Sequence, residues 1–311
     1  MQVERFVGHP IIHSQLPGLE GERGENINGP SLIKVPEWVE GRLGRYYLYF
    51  AHHNGAYIRM AYADDLAGPW TVHEPGVLHM DRAPGRRHIA SPDVHVDEQR
   101  RQIRMYFHQP APEDRQELGQ VSFAALSVDG IDFVVRPEIL GKYYLRVFRY
   151  ADWYYGLGKY DNVDGVIYRS RDGLTDFVEG PRCLPQVRHT ALWVEGDRLF
   201  LLYTRIGDRP ESILLATTDL RADWQNWSFS EPVCLLEPEM EWEGVQQPLA
   251  PSRPGRLRGR CGSCAIRRFM PKAMRDIYFI RWPENKVSRS RACCPVHHTI
   301  HRCQINLEEG F

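Results

Sequence analysis

Over the first 250 residues, apolar and aromatic positions come in short runs broken by Gly, Asp and Pro. Almost none has the three-to-four-residue spacing of an amphipathic helix. The runs recur in one order. Pro30–Val35 leads to Arg45–Phe50, then Tyr57–Ala63, then through Asp64-Asp65 to the aromatic run Gly68–Val72. The order returns as Pro92–Val96, Gln102–His108, Val121–Val128 and Asp132–Val135, and again as Leu145–Arg149, Trp153–Leu157, Gly165–Ser170 and Asp176–Val178. A fourth pass runs Thr190–Val194, Arg198–Thr204, Ser212–Thr217 and Trp227–Phe229. The Asp-Gly and related turns between runs tolerate positive φ and suit tight antiparallel connections.

Four antiparallel strands repeating every 45 to 60 residues or so are the pattern of a propeller blade. A lone blade leaves both faces wet, whereas blades stacked around an axis bury them. A Greek-key β-sandwich is the alternative, but it does not explain why four strand types return in the same order. The expected fold is all-β: a five-bladed β-propeller with four recognisable blades over residues 1–255 and the fifth blade missing or disrupted.

The disruption shows in the composition. The 311 residues carry a formal net charge of −1, yet residues 256–311 hold 12 Lys and Arg against 4 Asp and Glu, leaving 27 against 36 elsewhere. Five of the 7 cysteines (Cys261, Cys264, Cys293, Cys294, Cys303) also lie in that stretch. A Cys-x-x-Cys pair followed by further Cys and His invites a zinc reading, but the remaining spacings fit no standard finger. Back-translating Arg260–Arg291 and reading one base out of register, with allowed wobble choices, gives a string containing LRDPAI and YLLY in the order of a blade opening. Residues 256–311 are therefore expected to be a frame-shifted remnant of blade five, with the Cys/His cluster an accident. A zinc module and an unrelated tail are the alternatives.

The body, with only Cys183 and Cys234, has no disulfide framework. No run reaches the length of a membrane span, and Met1–His13 lacks the basic-then-apolar order of a secretory leader. The expected location is cytoplasmic, with no membrane partner. Nucleic acid is not expected either, because the body is net acidic and its basic groups form no stripe. No cofactor or resident metal is expected.

Blade topology points to a site. The innermost strand of a blade starts at one face, and the second strand returns to it, so these ends share a rim around the axis. Blade one then supplies Asn28 and Ser31 with His52 and His53, and blade two supplies His88, Ser91 and Asp93 with His108. Blade three supplies Arg146 with Lys159, and blade four supplies Arg188, His189 and Thr190 with Arg205. Convergent imidazoles and planar guanidiniums at the mouth of an apolar scaffold suit sugar hydroxyls or a ligand carboxylate. Trp38, Tyr57, Tyr150 and Tyr203 are candidates for stacking on a sugar ring.

The repeated blades, the run Tyr46–Trp70 (YYLYFAHHNGAYIRMAYADDLAGPW), the run His88–Val94 (HIASPDV) and the out-of-register LRDPAI together resemble the five-bladed propeller glycosidases. These form the clan of family 43 (arabinanases, xylosidases) and family 32 (invertases). The resemblance spans about residues 25–245. It implies carboxylates at the inner-strand openings of different blades, and here the sequence departs. Blade one reads Asn28-Gly29-Pro30-Ser31, blade three Leu145-Arg146-Val147-Phe148 and blade four Arg188-His189-Thr190; only Ser91-Pro92-Asp93 keeps an acid. Asp93 is thus the candidate base or nucleophile. Glu243, in a linker expected to cross the same rim, is the candidate acid, ahead of Glu25, Glu241 and His189. The expected function is hydrolysis of an oligosaccharide or other glycoside in a central funnel, or carbohydrate binding by a propeller that has lost its catalytic carboxylates.

Overall fold

The computed structural model describes residues 2–5, 10–246, 248–252 and 279–281. Strand β1 (Gln2–Glu4) precedes the blades. Blade one is β2 (Asn28–Lys34), β3 (Tyr46–Ala51), β4 (Tyr57–Ala63) and β5 (Thr71–His79). Blade two is β6 (Ala90–Asp97), β7 (Gln102–Pro110) and β8 (Gln120–Ser127), its outer place shared by β9 (Val134–Val135) and β10 (Gly141–Lys142). Blade three is β11 (Arg146–Tyr150), β12 (Trp153–Tyr160), β13 (Asp164–Ser170) and β14 (Val178–Cys183). Blade four is β15 (Val187–Glu195), β16 (Arg198–Arg205), β17 (Ile213–Asp219) and β18 (Val233–Leu236). Every pairing within the blades is antiparallel and between sequence neighbours, apart from the β8–β10 pair. β19 (Phe279–Arg281) pairs antiparallel with β1. The rest of the 256–311 tail, with all its cysteines, lies outside the described residues.

Each blade buries its faces against the next. Tyr47, Ile58, Val94, Phe107 and Phe123 belong to one apolar cluster between blades one and two. Tyr106, Leu145, Val147 and Tyr168 join blades two and three, and Phe148, Tyr155, Leu201 and Trp227 join blades three and four. A fourth cluster holds Leu48 and Phe50 of blade one, Phe200 and Leu215 of blade four, and Ile12, Leu19 and Ile27 from the segment before β2. Each fully buried Phe or Leu here is worth about 1.5–3 kcal/mol relative to exposure.

Polar contacts repeat with the blades. Tyr49 Oη donates to the Gly130 carbonyl (2.8 Å), and one blade on, Tyr106 Oη donates to the Gly173 carbonyl (2.9 Å). Both glycines sit at positive φ in Asp-Gly turns, and a Cβ on Gly130 would stand 2.7 Å from the Tyr49 hydroxyl. Positive φ and close approach together call for Gly at these turns.

The inner three strands of each blade fall where the apolar runs place them. The outer strands match less well: β9 lies inside Asp132–Val135, while β5 and β14 only begin at the ends of Gly68–Val72 and Asp176–Val178. Trp227–Phe229 is not a strand; the fourth strand of blade four is β18, and Trp224 and Trp227 instead pack into the interface with blade three. An outer strand faces solvent on its free edge and leaves little hydrophobic pattern to read.

Candidate functional site

The four inner strands open in the same way. Asn28 faces Ala51 and Ser31 faces Tyr49, so the inner strand carries one residue more than its partner. The same bulge lies between Ala90 and Asp93 and between Val187 and Thr190. In blade three the amide of Lys159 donates to the Tyr143 carbonyl (2.9 Å) while Arg146 faces Leu157, which reproduces it. Bulges of this kind bend a strand and re-aim its side chains. Gly29, Ser91 and Tyr144, each two residues before the inward-facing position, have φ of 57°, 54° and 63°. For Ser91 and Tyr144 this costs about 1–3 kcal/mol each, strain of a kind that clusters at ligand sites.

The structure therefore brings Ser31, Asp93, Arg146 and Thr190 to equivalent buried positions around the axis. They form a relay from blade to blade. Ser31 Oγ accepts from the Val94 amide (2.9 Å), Asp93 Oδ2 accepts from the Val147 amide (2.9 Å), and Arg146 Nε donates to the Thr190 carbonyl (3.2 Å). Asp93 Oδ2 also lies 2.8 Å from His95 Nε2, and Asp93 Oδ1 lies 3.9 Å from Arg146 Nη1. That Nη1 donates to the Pro92 carbonyl (2.8 Å), and the guanidinium lies 4.5 Å from the Tyr144 ring centroid. Arg146 Nη2 is buried with no hydrogen-bond partner among the described residues.

Around this axis stands a ring of imidazoles and phenols. His108 lies 6.1 Å from His88, 5.6 Å from Tyr143 and 6.2 Å from Tyr144, ring centre to ring centre, and Tyr144 lies 5.9 Å from His189. Burial, helped by the charges of His88, His53 and Arg146, holds His108 well below the ordinary histidine range. Burial also lowers His88, whose Nε2 lies 3.3 Å from Gln120 Oε1, and brings His189 down to about 4. All three are neutral at pH 7. His52 is half-buried and caps its own turn by accepting from the Asn54 amide, while His53 is exposed, its amide held by Asn26. Asn28 donates to Asn26.

Glu211 is the acid that the sequence reading missed. It is fully buried, accepts from Thr204 Oγ1 (2.7 Å), and lies 3.5 Å from His189 Nδ1 and 3.8 Å from Arg188 Nε. It comes from the β16–β17 connection. That hairpin returns to the rim where the inner strands open, because a second strand ends and a third begins there. The signal is present in Arg209-Pro210-Glu211-Ser212, but starts of first strands and ends of second strands do not include this connection. Tyr143 and Tyr144 escape the pattern for another reason: they fall one or two residues before the apolar run Leu145–Arg149.

Other expected site residues stand apart. Arg205 turns to Asp208 (2.9 Å) in its own loop. Glu243 is nearly sealed, and its carboxylate accepts from Arg5 Nε (2.8 Å), Arg5 Nη2 (3.2 Å) and the amides of Glu239 (2.8 Å) and Met240 (3.1 Å), which ties the N-terminal strand to the linker after blade four. Trp38 donates to Glu98 and Tyr150 to Asp197, both at the β6–β7 or β15–β16 turns, so these two aromatics belong to the opposite rim. Tyr57 stacks on His79, and Tyr203 packs in the blade three–four interface. Among the described residues, no group of three or more His, Cys, Asp or Glu is placed to hold a metal ion.

Four antiparallel blades place His, Arg and buried carboxylate side chains around one axis. No protein-family model matches the chain. It belongs to the same family as the uncharacterized protein R118 of Acanthamoeba polyphaga mimivirus, to which it is 34% identical over 288 residues, covering 81% of this chain and 79% of the relative. Its fold is similar to that of a thermostable family-43 glycoside hydrolase (TM-score 0.52, 16% identity, 71% of this chain and 76% of that one). It is also similar to the exo-β-1,3-galactanase of Phanerochaete chrysosporium solved with β-1,3-galactotriose (TM-score 0.50, 12% identity, 67% of this chain and 50% of that one). At these identities the likeness establishes the fold.

Proposed function

We propose that this protein is a glycoside hydrolase that takes an oligosaccharide into the axial funnel and protonates the glycosidic oxygen from Glu211. The observation that carries this reading is a fully buried carboxyl group at the mouth, oriented by Thr204, His189 and Arg188. Glycosidases of this type need a carboxylic acid beside the leaving oxygen and a base on the other side of the sugar. In the step, the Glu211 proton passes to the glycosidic oxygen as its bond to the anomeric carbon breaks. A water oxygen bonds that carbon, and its proton goes to a neutral imidazole at the same mouth, His88 or His108. Asp93, fully buried and engaged by Val147, His95 and Arg146, acts in this reading by holding Arg146 and the start of β11. A sugar ring has the half-buried faces of Tyr143 and Tyr144 to lie against. The solved galactanase complex with β-1,3-galactotriose supports a carbohydrate ligand for this fold.

One observation favours a second reading, a carbohydrate-binding propeller without turnover: the inner strands of blades one, three and four open on Ser31, Arg146 and Thr190, none of them an acid. A panel of aryl glycosides separates the two. Turnover that falls about 10²- to 10⁴-fold in Glu211→Gln, with binding retained, supports the hydrolase. Unchanged turnover in Glu211→Gln removes Glu211 from the chemistry, and saturable sugar binding without turnover in the parent chain establishes the binder.

A further inference from the structure

The strand openings bring together polar atoms that the described residues do not pair. Arg146 is 1% exposed, and its guanidinium is fixed by Nε on the Thr190 carbonyl (3.2 Å) and by Nη1 on the Pro92 carbonyl (2.8 Å). Its Nη2 is buried with no hydrogen-bond partner among the described residues, and so is Nδ1 of His108, a side chain 6% exposed. A buried polar atom left without a partner is costly, and native proteins satisfy such atoms with protein, water or ligand.

Both atoms belong to side chains that border one ring. The Arg146 guanidinium lies 4.5 Å from the Tyr144 centroid, and the His108 ring lies 6.2 Å from it. Tyr144 is half-buried and has a φ of 63°, so its backbone is strained at the place where its ring meets both groups. An arginine N–H only donates, whereas the nitrogen of a neutral imidazole donates or accepts according to its tautomer. Burial keeps His108 neutral at pH 7. Hydroxyl is the sugar group that serves both atoms: it accepts from the guanidinium, and it meets the imidazole in either tautomer.

We propose that Arg146 Nη2 and His108 Nδ1 read two hydroxyls of one sugar ring lying against Tyr144, so that the site takes glycosides free at those positions and rejects those deoxygenated there. The assignment rests on the funnel being a carbohydrate site. It makes His108 a specificity-determining residue and leaves His88 as the imidazole for the water proton.

The test uses the full chain with two variants of nearly equal shape, His108→Leu and His108→Asn. Asparagine keeps a polar atom near the Nδ1 position and leucine does not. Without ligand, the urea midpoint of the leucine variant should lie about 0.3–1 M above that of the asparagine variant, because no protein group answers a polar atom there. Calorimetric titration then compares the methyl glycosides of galactose, glucose, xylose and arabinose, followed by the monodeoxy analogues of whichever binds most tightly. Two deoxy positions should each lose roughly ten- to a hundredfold in affinity in the parent chain. At one of them the loss should shrink toward one in His108→Leu and persist in part in His108→Asn. If neither variant folds, the deoxy series on the parent chain decides. An asparagine midpoint at or above the leucine one would place a protein partner on Nδ1 and overturn the assignment. Monodeoxy analogues that all bind as well as the parent glycoside would also overturn it, with water alone meeting the two atoms, and would leave the carbohydrate site standing. Failure of every glycoside to bind would overturn the two together.

Discussion

Asp93→Asn separates a structural carboxylate from a catalytic one. The side chain is completely buried, with Oδ2 accepting from Val147 N (2.9 Å) and adjoining His95 Nε2 (2.8 Å), and with Oδ1 facing Arg146 Nη1 at 3.9 Å. An Asn in this place has one oxygen and one NH₂. If the oxygen keeps the Oδ2 position, the NH₂ meets the guanidinium; if the amide flips, the NH₂ meets the Val147 N–H. In either orientation two donors oppose each other, and the buried Arg146 loses its nearest counter-charge. Breaking a buried pair in this way costs about 3–5 kcal/mol. With an m-value of about 3 kcal/mol/M in urea, the unfolding midpoint should fall by roughly 1–2 M. Asp93→Leu and Arg146→Met together should lose less than the two single changes summed, because the double variant leaves neither partner of the pair as an unpaired buried charge. A midpoint within about 0.3 M of the parent for Asp93→Asn, or additive losses in the cycle, would refute the argument and return Asp93 to the candidates for direct chemistry.

Acid should weaken the fold through His189. Burial keeps its imidazole neutral down to about 4, against 6.5 for the free side chain. Between those values the unfolded chain binds the proton and the folded one does not, so this contribution is full above pH 6.5 and declines toward pH 4, by up to about 3 kcal/mol. Urea midpoints at pH 7 and 4.5 should converge in His189→Gln, and an unchanged difference would contradict the assignment. Arg5→Ala should leave the buried Glu243 with backbone amides alone, a loss of about 2–4 kcal/mol and roughly 5–10 °C in melting temperature. A melting temperature that does not move would mean that the tie between the N-terminal strand and the linker is not needed for the fold.

The architecture was legible in the sequence because it repeats. Four passes of the same strand order fix a radial stack, and the stack in turn brings Ser31, Asp93, Arg146 and Thr190 to one mouth although they lie far apart in the chain. Side chains on inner strands are placed by backbone pairing alone, so topology finds them. Glu211 and Glu243 show where that logic stops. Both are nearly or fully buried glutamates in connections between strands, and their sequence contexts do not say which one faces the axis. What separates them is tertiary: Glu243 closes on Arg5, 238 residues away, while Glu211 closes on Thr204 of the strand just before it. A loop carboxylate takes its role from whichever donor reaches it first in space, and a strand pattern contains no record of that. The inner strands of blades one, three and four open on Ser31, Arg146 and Thr190, and the buried acid Glu211 rises from a hairpin.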